Sequence, residues 1–417
     1  MPTSPILTKV TLILFGKIVT AIASFLMIIV LTKNYELKEF GMYVFFTSAC
    51  MIIAMISNWG TNEFIFRKCS TDQSSATYLL RTSAIWKLLL AIVLGTCFLA
   101  YLIFAEWSEE NIYIAILLLL ASIFDTQSMS YIMIWRAFGL NVPEAIFFPA
   151  RAITKLALVY IAVQNNAAFL TIALVIFLNN TIGLSIVWYF YSVWKHPNKT
   201  HNPDKISFRK LAAAATPYAI FGIIGAIYSQ NGSILTGLLA GHETVALYGV
   251  GFQFYQVAIF LPVAINIAIQ PSLSRMFEND NFQWGKQIVK YYKYLTPISI
   301  LLGLILYFVL PLVLHELFDQ KYELSRGVIE VFMLAFIFRF LTSSLIGTAM
   351  ISAGKIAVYN YILLAALATN IIANVILIPH YHEIGGALGF IASELVTVIL
   401  GSILLLRLPK NHMQNPT

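Results

Sequence analysis

Long apolar stretches, separated by short polar ones, run through the whole of this 417-residue chain. Each is about 20 residues long, the length that an α-helix needs to cross the hydrocarbon core of a bilayer. Because lipid cannot satisfy backbone hydrogen bonds, such stretches form helices. The pattern predicts twelve spans, approximately at residues 12–31, 42–57, 84–104, 111–133, 144–163, 168–193, 211–239, 246–270, 294–314, 327–350, 357–378 and 386–407.

The composition is that of a polytopic membrane protein. Hydrophobic residues make up 59% of the chain and charged residues only 11%, whereas an ordinary soluble domain is about 25% charged. The first apolar stretch lacks a small-residue cleavage site and is followed at once by further spans, so we expect no cleavable signal peptide. The three cysteines form no C-x-x-C pattern, and we expect neither a disulfide nor a metal site from them.

The distribution of Lys and Arg predicts the topology. With a cytoplasmic N-terminus, 18 of the 26 basic residues, among them Lys87 at the start of the third span, lie in inner loops and helix ends. Four lie in outer loops and four within spans. Because cytoplasmic loops carry the excess of basic residues, both termini are expected inside. The net charge of +7 follows from this bias and from contact with anionic lipid, so no nucleic-acid partner is expected.

A basic segment at 196–210 joins the sixth and seventh spans and predicts the domain organisation. We expect an N-terminal six-helix lobe at 1–195, a basic cytoplasmic linker at 196–210, a C-terminal six-helix lobe at 211–408 and a cytoplasmic tail at 409–417. Tyr43 and Tyr248 occupy similar places early in the second and eighth spans. This weak similarity between the halves predicts a parallel repeat whose two lobes rock about a central site.

The segment from Asn370 to Gly389 reads NIIANVILIPHYHEIGGALG. Asn370 and Asn374 are four residues apart and project from one helical face. Because amides facing lipid are costly, that face is expected to meet protein or a polar cavity. Pro379 is predicted to end the helix, since proline lacks an N–H and clashes with the preceding turn. The glycines that follow are expected to let the next helix approach closely.

This segment resembles the C-terminal part of polysaccharide exporters in the multidrug/oligosaccharidyl-lipid/polysaccharide (MOP) superfamily, and among them Wzx-type O-antigen flippases. Two other regions carry the resemblance: Phe40-Gly41-x-Tyr43 with Trp59-Gly60 and Arg67, and Leu247-Tyr248 with Pro271 and Ser274. The family's fold would be all-α, with twelve transmembrane helices in two pseudo-symmetric six-helix lobes. Ala246, which stands where the repeat would place a counterpart of Gly41, departs from the pattern.

The resemblance also implies a function. It implies that the chain moves an undecaprenyl-diphosphate-linked oligosaccharide, an O-antigen repeat unit, from the cytoplasmic to the periplasmic leaflet of the bacterial inner membrane. The lipid-linked glycan and the bilayer would be its partners, and other polysaccharide-assembly proteins remain open as further ones. In the related lipid II flippases cations line the N-terminal lobe, which implies that Lys17, Arg151 and Lys155 line a central cavity.

Charged residues inside the spans are the candidate substrate-binding residues, because each must find water, a partner or a ligand. Arg151 and Lys155 are one turn apart and face the same way. An Arg fork and a Lys point charge can together hold a diphosphate. The alternative is that Arg151 snorkels to the interface, and snorkelling is also open for Lys17. Asp125 is expected either to pair with one of these cations or to bind a proton or Na⁺.

Polar residues in the second half are further candidates. The run 228–233, which contains Gln230 and Asn231, predicts a bent or unwound helix lining water, with ordinary interhelical hydrogen bonding as the alternative. Arg339 and Glu330 are nine residues apart and lie on opposite helical faces. Glu394 in the last span is therefore the expected partner of Arg339.

No enzyme motif is evident, and we predict a transporter without a cofactor. The chain has no Walker A motif and no large loop. His380 and His382 lack a third metal ligand and are expected in a surface turn. Two alternatives remain: a multidrug or cation antiporter of the same superfamily, and a membrane-embedded polysaccharide polymerase or transferase. Four cations within the spans, against three acids, favour an anionic substrate.

Overall fold

A computed structural model describes residues 5–194, 207–279 and 281–411. Its regular elements over these ranges are all helical. Short 3₁₀ turns lie at Gln73–Ser75 and Gln320–Tyr322, and a π-helical segment at Thr342–Gly347. The α-helices are α1 Pro5–Asn34, α2 Leu37–Asn58, α3 Thr61–Thr71, α4 Ala76–Phe104, α5 Glu109–Ala137, α6 Val142–Gln164, α7 Phe169–Val193, α8 Phe208–Ala240, α9 His242–Ala258, α10 Phe260–Asn279, α11 Asn281–Leu317, α12 Ser325–Leu341, α13 Thr348–Ser352 and α14 Ile356–Asn411.

Eleven stretches of the described chain are long and apolar enough to cross a bilayer. The last of them belongs to α14, whose backbone leaves the helical conformation at His382, with φ 50° and ψ −122°. This stretch therefore comprises two helices, and counting it as two gives twelve spans. The all-α polytopic fold predicted from the hydropathy pattern is confirmed.

The break in α14 lies three residues beyond Pro379, so the prediction that proline ends the helix is wrong. Proline removes only one backbone hydrogen bond, and long membrane helices tolerate that loss; Pro149, Pro217 and Pro271 also lie inside helices. The chain reverses at His382 instead. There the predicted close approach of the two helices is confirmed, because a Cβ on Gly385 would lie 2.6 Å from the Leu377 carbonyl oxygen.

The chain divides into two compact units. Unit 1 comprises residues 1–35 and 46–230, and unit 2 comprises residues 36–45 and 231–417. The division falls inside α2 and inside α8, so residues 211–230 belong to unit 1. Most of the predicted linker (196–206 of 196–210) and of the predicted tail (412–417 of 409–417) lies outside the described residues. The two six-helix lobes remain a prediction.

In unit 1, α1 packs along α6, while α5 packs along α7 and also against α3. A buried cluster joins α3, α4, α5 and α7, with Ile65, Leu79, Ile132 and Val187 among its members. In unit 2, α12 packs against α9, α11 and α14. Its buried cluster includes Leu273, Trp284, Leu345 and Met350. Large apolar side chains such as Phe104 and Leu312 remain exposed on the two units, as expected of a surface solvated by lipid.

The helix α8 runs through the polar stretch 228–233 without interruption, so the unwound segment predicted there is wrong. Gln230 and Asn231 are buried and Ser229 is partly buried, and their side chains form hydrogen bonds while the helix remains continuous. Ser229 Oγ donates to the Ala226 carbonyl oxygen at 3.1 Å, and Gln230 Nε2 donates to Ser229 Oγ at 3.3 Å. Interhelical hydrogen bonding, the alternative, holds for Asn231, whose Oδ1 accepts a bond from α14.

Candidate functional site

The charged centre of unit 1 is an ion pair between Arg151 on α6 and Asp125 on α5. This contact confirms that Asp125 pairs with one of the cations. The Arg151 side chain is only 16% exposed, whereas that of Asp125 is 45% exposed. The guanidinium also lies over the rings of Phe147 and Phe148, with its carbon 5.2 and 5.6 Å from their centroids. A cation over aromatic faces in a desolvated site is held by the ring quadrupoles.

Local sequence explains how α6 presents Arg151. Pro143 lies in the first turn of α6, where its missing N–H is not needed. Gly183 on α7 leaves room for the arginine, because a Cβ there would lie 3.0 Å from Arg151 Cδ and 3.4 Å from Phe147 Cζ. Arg151 Nη1 is buried and has no hydrogen-bond partner among the described residues. The guanidinium therefore has a donor beyond those that Asp125 can engage.

Lys155 lies one turn after Arg151 and is partly buried. Over the described chain it makes neither a hydrogen bond nor an ion pair. Lys17 is exposed on α1, the helix that packs along α6. No described contact joins Lys17 to Arg151 or Lys155, and its place in a common cavity remains a prediction. Arg151 and Lys155 against Asp125 leave this part of unit 1 with an excess of positive charge.

Lys87 is a functional candidate that sequence reasoning missed. Its placement at a cytoplasmic helix end is wrong: α4 begins eleven residues earlier, and the side chain is 1% exposed. The ammonium donates to Asn62 Oδ1 at 2.8 Å, to Ser130 Oγ at 2.7 Å and to the Thr126 carbonyl oxygen at 3.0 Å. Three neutral acceptors on α3 and α5 thus hold one cation inside the protein. The only signal in the sequence was that Lys87 fell just inside a predicted span.

In unit 2, a network of buried amides links α8 to the two halves of α14. Asn374 Nδ2 donates to Asn231 Oδ1 at 2.7 Å and to Asn370 Oδ1 at 3.3 Å, and Asn370 Nδ2 donates to Ser393 Oγ at 3.3 Å. Asn370, Asn374 and Ser393 are fully buried. The expectation that this asparagine face meets protein is therefore confirmed. Gln230, next to Asn231 in α8, is buried as well.

Arg339 on α12 and Glu394 on α14 form an ion pair between two spans of unit 2. Arg339 Nη1 lies 3.2 Å from Glu394 Oε1, which confirms the expected partner, whereas Glu330 pairs with Arg326 at 2.9 Å. Glu394 is fully buried and also accepts a 2.8 Å hydrogen bond from Thr342 Oγ1. Thr342 opens the π-helical segment between α12 and α13. Such segments occur often at functional sites.

Within the described residues, no group of three or more His, Cys, Asp or Glu side chains lies close enough to hold a metal ion. His382 marks the break in α14, and its neighbour Tyr381 is exposed. The charged residues within the spans can interact with a charged ligand by electrostatic attraction. Unit 1 carries guanidinium and ammonium groups, which are groups of the kind that bind anions, and unit 2 carries a buried carboxylate that an arginine neutralises.

A sequence comparison decides the family. The profile of a family described as polysaccharide biosynthesis protein matches residues 6–277, which is well over half of the chain. The chain belongs to this family. Among curated proteins, no sequence matches it.

Comparison with solved structures shows the fold. An inward-facing multidrug resistance MATE family transporter of the MOP superfamily is similar with a TM-score of 0.75 and 13% identity, over 95% of this chain and 96% of that one. The lipid II flippase MurJ in an inward closed conformation gives a TM-score of 0.76 and 13% identity, over 95% and 87%. The MATE transporter VcmN of Vibrio cholerae, in its bent form, gives 0.61 and 16%, over 96% and 97%. This polysaccharide biosynthesis family member thus has the fold of MOP superfamily proteins.

Proposed function

We propose that this protein is a flippase that carries an undecaprenyl-diphosphate-linked oligosaccharide, an O-antigen repeat unit, from the cytoplasmic to the periplasmic leaflet by alternating access. It acts in the bacterial inner membrane with both termini in the cytoplasm. The family supports a role in polysaccharide assembly, and the fold is one that both MATE transporters and a lipid II flippase adopt. Other polysaccharide-assembly proteins are its expected partners.

The observation that carries the proposal is the excess of positive charge on α6. Arg151 and Lys155 lie nine and thirteen residues into a 23-residue span, so they sit near mid-membrane. A single carboxylate, Asp125, pairs with Arg151. Charges in the bilayer core are costly and mark sites that bind or conduct charged groups. A diphosphate would engage the unpartnered guanidinium donor and the ammonium of Lys155 at once.

The headgroup is what makes unassisted transfer slow. A charged sugar diphosphate loses its hydration when it enters hydrocarbon, at a large cost in free energy. Donors fixed within unit 1 replace part of that hydration while the prenyl chain stays in apolar surroundings. The role of Asp125 is to keep Arg151 paired between transport events. The empty protein then does not hold two uncompensated cations in the membrane.

A multidrug or cation antiporter is the second candidate, and the likeness in fold to MATE transporters favours it. A cationic substrate would need the exposed carboxylate of Asp125 as its partner. The two neighbouring cations on α6 oppose that use, because like charges repel strongly where the dielectric constant is low. The charge balance therefore favours the anionic substrate.

Leaflet exchange in proteoliposomes tests the proposal. The probe is undecaprenyl diphosphate carrying a fluorescent oligosaccharide, and a membrane-impermeant quencher reports which leaflet holds the sugar. Arg151→Ala/Lys155→Ala is expected to slow exchange at least about tenfold, because hydrogen bonds to charged groups contribute about 1.5–3 kcal/mol each. Lys286→Ala/Lys290→Ala is the matched control: it removes two exposed cations with the same spacing and should exchange at the wild-type rate.

Asp125→Asn separates substrate binding from structural pairing. If Arg151 acts only as the partner of Asp125, this variant should lose as much activity as Arg151→Ala. If Arg151 binds the diphosphate, Asp125→Asn keeps both cations and retains exchange. Wild-type protein that leaves the probe in place but moves a lipophilic cation would replace the flippase with the antiporter. Covalent extension of the sugar would identify a polymerase instead.

A further inference from the structure

An apolar groove of about 820 Å³ runs between α6 and α7 in unit 1. Its walls come from consecutive turns of both helices, with Trp135 and Trp194 at one end and Leu158 at the other. On α6 the lining residues extend from Val142 to Leu158, a length of roughly 24 Å at 1.5 Å per residue. Several wall residues are exposed, including Ile146 and Ile186, so the groove opens onto the surface that lipid covers.

Polar groups are concentrated at one level of this groove. Apart from the two tryptophans, the polar side chains among its described lining residues are Arg151, Thr154 and Asn179. Asn179 Nδ2 donates to Thr154 Oγ1 at 3.0 Å, while Asn179 Oδ1 is buried without a hydrogen-bond partner. Asn179 is 5% exposed. A long apolar wall with one cluster of polar groups is the arrangement that recognises an amphipathic chain.

We propose that this groove binds the prenyl chain of the transported lipid, with the first isoprene units along α6 and α7 and the phosphate at Arg151. The inference rests on the proposed function and adds to it a binding site for the lipid tail. Charge complementarity selects the ligand: an unpartnered guanidinium donor in a hydrocarbon-lined groove fits a lipid that carries phosphate.

The depth of Arg151 distinguishes the transported lipid from an ordinary phospholipid. Arg151 lies nine residues after the first residue of α6, roughly 14 Å along the helix axis. That distance is about half of the 30 Å hydrocarbon core. The phosphate of a resting phospholipid stays in the headgroup layer and does not reach this level. A lipid whose phosphate is carried through the core does reach it.

Filling the groove tests the proposal in the leaflet-exchange assay. Ile186→Trp places an indole in the groove at an exposed position two turns from Asn179. The control is Leu174→Trp, on the same helix, also exposed, outside the groove and about 120° around the helix from Ile186. Displacing one isoprene unit removes several buried carbons, so exchange by Ile186→Trp is expected to fall at least about tenfold. The Leu174 variant should keep the wild-type rate.

A binding measurement separates this proposal from the proposed function and from a folding defect. In a Cys97→Ser background, which removes the one exposed native cysteine, a fluorophore is attached at Ile186→Cys or at Leu174→Cys. Nitroxide-labelled undecaprenyl diphosphate in nanodiscs should quench the groove position more than the control position. A phospholipid with a nitroxide on its acyl chain should quench both positions equally.

The outcomes are separable. Exchange by the wild type with equal rates for both tryptophan variants would overturn the groove and leave the flippase standing. Selective quenching at Ile186→Cys without leaflet exchange would support the groove as a prenyl-diphosphate site while the flippase fails. Equal quenching at the groove position by the phospholipid and by the prenyl diphosphate would identify an ordinary annular lipid and overturn the proposal.

Discussion

Lys87→Ala is expected to lower the free energy of unfolding by about 3 kcal/mol, because hydrogen bonds to a charged group contribute about 1.5–3 kcal/mol each and removal of the buried charge offsets part of that loss. The substitution deletes three hydrogen bonds of 2.7 to 3.0 Å from a cation that is 1% exposed. It also leaves a cavity among α3, α4 and α5, which adds to the cost. The measurement is the midpoint of thermal unfolding in detergent micelles, followed by the loss of monodisperse protein.

Two further variants make this prediction specific. Lys68→Ala, on the neighbouring α3, removes a cation whose partner Asp72 lies 3.6 Å away and whose side chain is 36% exposed. An exposed pair of this kind contributes between about 0 and 1 kcal/mol, so that variant should unfold close to the wild-type midpoint. Lys87→Met restores volume without donors and should recover only the cavity part of the loss. A wild-type midpoint for Lys87→Ala would mean that the three hydrogen bonds add no stability.

Gly385→Ala is expected to cost about 1–3 kcal/mol, which is typical of overpacking in a well-packed site. The added Cβ would lie 2.6 Å from the Leu377 carbonyl oxygen and 2.7 Å from Ile378 Cα. Both atoms belong to the backbone on the other side of the break at His382, so no side-chain rotation can relieve the contact. The two halves of α14 must move apart, and the same thermal measurement detects the loss.

Gly225→Ala is the matched control for this variant. Gly225 also lies within a helix, but a Cβ there would meet no atom within 4 Å. Alanine has the higher helix propensity, so this variant should be as stable as the wild type or more stable, by up to about 1 kcal/mol. Equal destabilisation of the two variants would contradict the steric explanation and point to a general intolerance of alanine in these helices.

Hydropathy alone predicts most of this fold, because lipid imposes length and helicity on each apolar stretch. Span ends are less well determined. The sequence Ala76–Ser83 is mixed in character, so the pattern starts the third span at residue 84 although the helix starts at Ala76. That error placed Lys87 at a helix end. The division into units was not predictable from the linker, because it falls within α2 and α8, and no change in composition marks those positions.

For the candidate site, the structure confirms the predicted partners of charged residues within the spans. A charged group in lipid needs a partner, and Asp125 with Arg151 and Glu394 with Arg339 followed from that rule. No feature of the sequence predicted which uncharged residues far apart in the chain would be in contact. The hydrogen bond from Asn374 to Asn231 joins residues 143 positions apart. The groove between α6 and α7 depends on the mutual placement of two helices and on the absent side chain of Gly183, which a hydropathy pattern does not contain.

The burial of Lys87 also bears on the order in which the membrane protein is assembled during synthesis. A lysine near the centre of an inserting helix costs about 2.5–3.5 kcal/mol on translocon-derived scales. The partners of Lys87 come from both sides in the sequence: Asn62 precedes α4, whereas Thr126 and Ser130 follow it on α5. When α4 enters the bilayer, the two acceptors on α5 have not yet been inserted beside it. The free-energy cost of placing Lys87 in the bilayer is therefore offset in full only after α5 has inserted next to α4.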